Sequence, residues 1–466
     1  MLLARKILFY FFLIIYLVIC PLVVLYALGY IFYPLKKGIT QTGVLYVSSE
    51  PAGASIYLGK SRYTQNTPTA IPELLPGKYS LRLGSKGYKP WLRTVTIDPG
   101  EATVFERVLL IPKKWEAKEL FPGSFEQIFA LGAKDYLILN KGQILGDYLA
   151  YDLRRKIITP LAPKASALSS FPVSSIFSVA PSRAMIVYGG SFLERRYLYL
   201  KLKNGKTDFL DITKLIPRSP ELITWNVFDD TNIFTLHGNT LNRIDIEASA
   251  YFPDYIEDIR GFGLSGKWIY VLDKDNNLLR YSYDKQDSNV LPERGLLGKK
   301  LFDRKDIYRI EVLSDDSILF LGRNGRLFSR IAPYEIVKQA VVGITVHKRG
   351  GAALFWTREY IGVIEFIKQR DDSLPEISRP NARIKKVYTK GRQITKCLWA
   401  YDASYILFQD GENLFLLDLM PQGENYAEKI AGLKKDTSFY YSEEHGEAYF
   451  LSQTAGRLTA IKIIPQ

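Results

Sequence analysis

The chain has 466 residues, enough for two or three domains with sizeable cores. Its 31 tyrosines and 13% aromatic content favour β structure, and its two cysteines, Cys20 and Cys397, cannot define a disulfide framework. The formal net charge of +14 is dispersed, with four basic and no acidic side chains in 1–41, eight and five in 42–112, and 50 and 43 in the remainder. No run of five basic residues occurs, so no nucleic acid is expected as a partner. A mildly basic surface suits anionic lipid or wall polymer instead.

From Ile7 to Tyr33 the sequence runs 27 residues without a charge. About 20 such residues span a bilayer as a helix. Tyrosines near both ends suit the membrane interface, and membrane helices tolerate a proline such as Pro21. A cleaved signal peptide is the rival reading, with Ala27-Leu28-Gly29 as its one candidate site. The apolar stretch is longer than a signal core of ~7–15 residues, so an uncleaved anchor is expected. Leu17-Val18-Ile19-Cys20 is a poor acylation site, because Ile19 is large and Pro21 follows the cysteine. Arg5 and Lys6 on one side and Lys36 and Lys37 on the other leave the positive-inside rule nearly tied. With six residues before the apolar run, the large C-terminal body is the part expected to cross, and so to be extracytoplasmic.

The period then changes to two. Leu45 and Val47 alternate with Val44, Tyr46 and Ser48, which predicts a strand. Glu50-Pro51-Ala52-Gly53-Ala54 predicts a turn, since proline presets φ and Gly53 can take positive φ. Strands follow at Ser55–Leu58, Tyr79–Leu83, Leu92–Ile97 and Thr103–Leu110, separated by Thr67-Pro68, Leu75-Pro76-Gly77-Lys78 and Asp98-Pro99-Gly100. The ordered pieces S-S-E-P-A-G-A-S-I-Y-L, T-P, L-P-G-K-Y and G-Y, over about 70 residues, resemble a PEGA domain. That resemblance implies a small β-sandwich, an envelope or surface-associated module outside the cytoplasmic membrane, and no catalytic residues.

From Trp115 a weaker repeat sets in, each copy an apolar strand, a tight polar turn and a second apolar strand. Eight copies recur about every 44 residues, among them D-Y-L-I-L-N-K-G, W-I-Y-V-L-D-K-D-N-N-L-L-R-Y and Y-I-L-F-Q-D-G-E-N-L-F-L-L-D. Asn-Lys-Gly, Arg-Asn-Gly and Gln-Asp-Gly at the tips predict turns with positive φ. This period without helical stretches predicts a β-propeller of seven or eight blades, and no G-H…W-D signature supports a WD40 assignment. The expected organisation is a membrane anchor at 1–41 with a helix over about 7–33, a PEGA-like β-sandwich at 42–112 and a propeller at 113–466. The fold class is mainly β.

Several motifs suggest chemistry. Gly261-Phe262-Gly263-Leu264-Ser265-Gly266-Lys267 has phosphate-loop spacing, but Trp268 stands where Ser or Thr is needed and a strand follows rather than a helix. Asp273-Lys274-Asp275-Asn276-Asn277 starts like a calcium loop, but Leu278 replaces the turn glycine and Asp284 stands in place of the glutamate. His237, His347 and His445 lie far apart, outside any metal spacing, and no G-x-S-x-G occurs. The sequence therefore yields no catalytic, cofactor-binding or metal residue. The expected protein is a non-enzymatic, single-pass anchored envelope protein, its propeller binding another envelope protein, glycan or anionic wall polymer. A propeller hydrolase or lyase acting on peptide or polysaccharide is the alternative, and a cytoplasm-facing scaffold the third reading.

Overall fold

The computed structural model of the chain describes residues 2–33, 38–131, 136–161, 170, 172–180, 183–189, 195–203, 206–217, 219–225, 231–283, 288–291, 302–303, 305–314, 317–347, 351–371, 374–419 and 425–464. The chain divides into two compact units. The first is 1–116 with two short distal segments, 420–425 and 462–466; the second is 117–419 with 426–461.

In the first unit, α1 spans Leu2–Ala27 and contains Pro21. Its 20-residue segment Leu8–Ala27 is long and apolar enough to cross a membrane, since 20 residues rise about 30 Å. Leu8, Phe9, Ile14, Tyr16, Val23 and Tyr26 are each more than half exposed. A helix that is apolar on every side needs a hydrophobic environment to cover it. The apolar run continues to Tyr33, but the helix does not. Gly29 takes φ +82°, and its N–H and that of Leu28 bond back to the Tyr26 and Val24 carbonyls. A glycine in the left-handed region ends the helix there. Tyr30–Tyr33 (β1) then pairs antiparallel with Gly38–Gln41 (β2), so the helix expected over about 7–33 runs over 2–27.

The rest of this unit is two sheets. In one, β3 (Gly43–Glu50) lies between β6 (Thr69–Leu74), antiparallel, and β9 (Ala102–Leu109), parallel. The other has the order β5 (Ser61–Asn66), β4 (Ser55–Leu58), β7 (Gly77–Gly84) and β8 (Trp91–Ile97), antiparallel throughout. Alternation decides what is buried: Leu45 and Val47 of β3, Leu81 and Leu83 of β7, and Val95 and Ile97 of β8 are within 1% of fully enclosed. Trp91 packs edge-on to Phe105, with centroids 5.5 Å apart. The Pro51–Ala54 turn is fastened to Thr67. The Gly53 N–H donates to the Thr67 carbonyl at 2.7 Å, and the Ala54 N–H to Thr67 Oγ1 at 2.9 Å. Gly53 takes φ +86°, the conformation the turn requires.

Among the described residues the second unit holds six four-stranded antiparallel sheets and one eight-stranded sheet made of two such sets, and we number the eight sets of four strands as blades 1 to 8. Their inner strands are Gln127–Leu131, Val173–Ala180, Leu222–Trp225, Ile259–Ser265, Tyr308–Val312, Gly343–Val346, Ile394–Ala400 and Phe439–Ser442. Among the described residues, apolar clusters fill the interfaces between consecutive blades from 1 to 7 and between 8 and 1. Tyr136 and Ile138 of blade 1 pack on Ala184 and Ile186 of blade 2, and Met185 and Val187 of blade 2 on Ile233 and Ile244 of blade 3. The middle strands are thus covered on both sides, as β sheets stacked face to face require. Leu137 and Leu139 of blade 1 pack on Tyr449 and Leu451 of blade 8, so first and last blades meet and the array closes. Blade 8 is completed by Ala117–Glu119, which pairs antiparallel with Leu458–Lys462. Strands from the two ends of the propeller thereby share one sheet.

Blades 4 and 5 join into one eight-stranded sheet, because their inner strands pair in parallel at Gly261↔Tyr308 and Phe262↔Arg309. This explains the glycines of the phosphate-loop-like motif. A Cβ on Gly261 would stand 2.2 Å from the Tyr308 carbonyl oxygen, and one on Gly263 2.1 Å from that of Ile310. At the hairpin tips Gly325 (+78°) and Gly411 (+58°) take positive φ. Gly142 does not: the Asn-Lys-Gly stretch leads into a loop with a 3-10 turn at Leu145–Asp147, not a tight hairpin. A Cβ on Gly142 would meet the Asp147 carboxylate at 2.2 Å, so glycine is required there for space rather than for φ.

Candidate functional site

A cavity of about 680 Å³ opens where the inner strands of blades 7, 1 and 2 converge with the segment leading into blade 8. That volume lies within the range of small-ligand sites. Its walls differ in character. Ile128 and Phe129 of blade 1 and Ile176 of blade 2 form an apolar side. Gln393, Thr395, Lys396 and Gln409 of blade 7, with Lys435 to Ser438 ahead of blade 8, form a polar side.

Local backbone geometry sets the polar wall. The inner strand of blade 7 carries a register irregularity between Ile394 and Lys396, and Thr395 and Lys396 both line the cavity. A bulge breaks the strict alternation that would send consecutive side chains to opposite faces. Lys396 is half-buried; its Nζ donates to the Phe439 carbonyl at 2.7 Å and lies 5.4 Å from that ring's centre. Among the described residues no carboxylate pairs with it. Burial alone pushes its ammonium down to about 8.

Gln409 stands directly opposite Lys396 in the strand pairing. It is 5% exposed. Its Nε2 donates to the Gly411 carbonyl at 3.0 Å and to the Thr437 carbonyl at 2.8 Å, tying the turn of blade 7 to the lead-in of blade 8. Its Oε1 is buried and receives no hydrogen bond. Lys434 fastens the same lead-in to blade 1, donating to the Phe125 carbonyl at 2.8 Å and to Glu126 Oε2 at 2.9 Å. Of the other charged groups on the wall, Glu412 accepts from Gln453 Nε2 at 3.0 Å, and Lys435 and Asp436 flank the opening.

In the sandwich, the side-chain hydrogen bond of Thr67 serves a turn. Residues 42–110 match the family model of the PEGA domain. The PEGA domain thus covers the two sheets from β3 to β9. For the propeller, solved structures are similar at low identity. The β-propeller domain of Cps50 (Swd1) from Myceliophteria thermophila is 11% identical, with 74% of this chain and 98% of that chain covered and a TM-score of 0.42. The Dos1 propeller is 9% identical, covering 76% and 95%, with a TM-score of 0.43. The N-terminal domain of Nup159 is 12% identical, covering 75% and 94%, with a TM-score of 0.33. No curated protein matches the chain in sequence.

The residues that sequence reasoning weighed are placed outside the cavity wall. Gly261 and Gly263 belong to the junction of blades 4 and 5, and Gly266 (φ +57°) to a hairpin turn. Asp273 is used within its own turn: Oδ1 accepts from the Asp275 and Asn277 N–H groups at 2.8 and 2.7 Å, and Oδ2 from Asn277 Nδ2 at 2.8 Å. Asp284 lies outside the described residues. His237, His347 and His445 stand in blades 3, 6 and 8. Among the described residues no group of three metal-ligating side chains occurs. Ser442 Oγ lies 2.9 Å from His445 Nδ1, a pairing that suggests a nucleophile. Ser442 is 1% exposed and also accepts the His445 N–H, which makes the pair a turn lock. Cys397 is buried, and burial raises its thiol well above the usual range. Lys396 and Gln409 were not singled out from sequence; the available signal is a lysine inside the largely apolar strand Ile394–Ala400.

Proposed function

We propose that this chain is a single-pass, membrane-anchored protein of the cell envelope, with its PEGA domain and propeller outside the cytoplasmic membrane and the propeller serving as a non-enzymatic recognition platform. The cavity carries the reading. It combines an apolar wall with a few convergent polar groups, among them a half-buried ammonium that no carboxylate of the described residues pairs, the make-up of a site that holds a ligand. The exposed apolar helix supports the anchor, and the PEGA resemblance supports the extracytoplasmic placement. The partner is another protein of the envelope rather than nucleic acid or anionic wall polymer, since the cavity lacks the dense positive lining a polyanion requires, and the apolar wall suits an apolar side chain better than a glycan's hydroxyls.

Site-specific photo-crosslinking in intact cells tests this. A photoreactive residue replacing Gln393, exposed on the cavity wall, is expected to yield a discrete adduct. The same residue at Phe252, exposed on blade 3 and not on the wall, is expected to yield none. Equal adducts from both positions, or none from Gln393, would contradict recognition at the cavity.

A further inference from the structure

Lys396 brings an unmet requirement to the cavity. It opposes Gln409 across two strands, and both line the cavity. Its ammonium has a backbone carbonyl as its single acceptor and no counter-ion among the described residues. Leaving a charge buried without its partner costs free energy, so the side chain favours a ligand that completes it. A carboxylate answers it. The wall with Ile128, Phe129 and Ile176 asks for an apolar group beside that carboxylate.

We propose that the cavity receives the free C-terminus of a partner polypeptide, its α-carboxylate on Lys396 and an apolar final side chain against Phe129. Carboxylate on ammonium is a charge-assisted contact, stronger than a neutral hydrogen bond. A uronic acid shares the carboxylate but brings hydroxyls rather than an apolar group, and the apolar wall favours the peptide. The assignment rests on the propeller being a recognition platform and names what that platform recognises.

The test uses full-length protein in nanodiscs and equilibrium dialysis. The probes are an equimolar pool of N-acetylated tetrapeptides ending in leucine with a free carboxylate, the same pool as C-terminal amides, and trigalacturonate. The free acids are expected to bind at least ten-fold more tightly than the amides. Lys396→Gln is expected to lose ten-fold or more of that affinity. Gln409→Glu, which sets a carboxylate opposite Lys396, is expected to abolish binding while the protein stays folded. The acid-against-amide comparison needs no variant, so misfolding of either variant leaves a decisive arm. Equal binding of acids and amides, no binding of either pool, or binding of trigalacturonate in preference would overturn the proposal. A Gln393 adduct formed in cells alongside any of those results would leave the platform reading intact and reject only this ligand.

Discussion

Gly263→Ala is expected to destabilise the propeller by about 3 kcal/mol or more, while Gly266→Ala, three residues away, costs about 1 kcal/mol. The two substitutions add the same methyl to opposite kinds of site. Gly266 holds φ +57° with nothing within 4 Å of a Cβ, so alanine meets only a conformational penalty. Gly263 meets no φ penalty, but its Cβ would lie 2.1 Å from the Ile310 carbonyl oxygen and 2.9 Å from the Ile310 Cβ. Relief requires the inner strands of blades 4 and 5 to part, which breaks their parallel pairing and opens the interface filled by Tyr270, Leu272, Tyr308 and Ile310. Thermal unfolding of full-length protein in nanodiscs, followed by tryptophan fluorescence, measures both. Equal midpoints for the two variants would contradict the close approach of these strands.

Lys396→Met is expected to stabilise the unliganded protein at pH 7 by about 1–3 kcal/mol, with 1.36 kcal/mol for each pKa unit that burial removes as the upper bound and the lost bond to the Phe439 carbonyl set against it. The sign follows from proton counts. Lys396 sits at about 8 in the folded chain against a usual 10.5. Between those values the unfolded chain holds the proton and the folded one does not, so wild-type stability rises with pH across that window. Methionine removes the group and its cost, and the advantage of the variant falls to nothing by about pH 10.5. The other charged groups of the wall, Glu412, Lys435 and Asp436, are common to both proteins. Denaturant midpoints of the two proteins at intervals from pH 7 to 10.5 give the comparison. A variant no more stable than the parent at pH 7, or an advantage independent of pH, would contradict the uncompensated burial of this ammonium. The same substitution removes the carboxylate-binding group, so stability and ligand affinity should move in opposite directions.

The parts of the fold legible in the sequence are those where side chains are covered on both faces. Tyr136–Asn140 is buried at every position, and Leu137 to Leu139 reads as an unbroken apolar run. Lys206–Asp211, at an outer edge, has no fully buried residue, and no apolar run marks it. The closing strand Ala117–Glu119 is three exposed residues with no period at all, and its position in blade 8 depends on a partner some 340 residues away. The helix end at Gly29 was hidden because the apolar run outlasts the helix. The PEGA domain was readable because its turns need proline and glycine at fixed places, as at Pro51-Ala52-Gly53, fastened to Thr67. The cavity was not readable. Lys396 and Gln409 are 13 positions apart and ordinary in type; strand pairing makes them neighbours, and both bond to blade 8 and its lead-in, at the Phe439 and Thr437 carbonyls. The motifs that did stand out, Gly261 to Lys267 and Asp273 to Asn277, owe their composition to strand approach and to a turn.

The claim that the PEGA domain and propeller lie outside the cytoplasmic membrane is tested most directly by protease accessibility of a C-terminal epitope tag. The measurement is made on intact cells, or on spheroplasts where an outer membrane is present, beside permeabilised controls. The topology proposed here predicts cleavage without permeabilisation. Protection of the tag until the membrane is opened would place the body in the cytoplasm and contradict it.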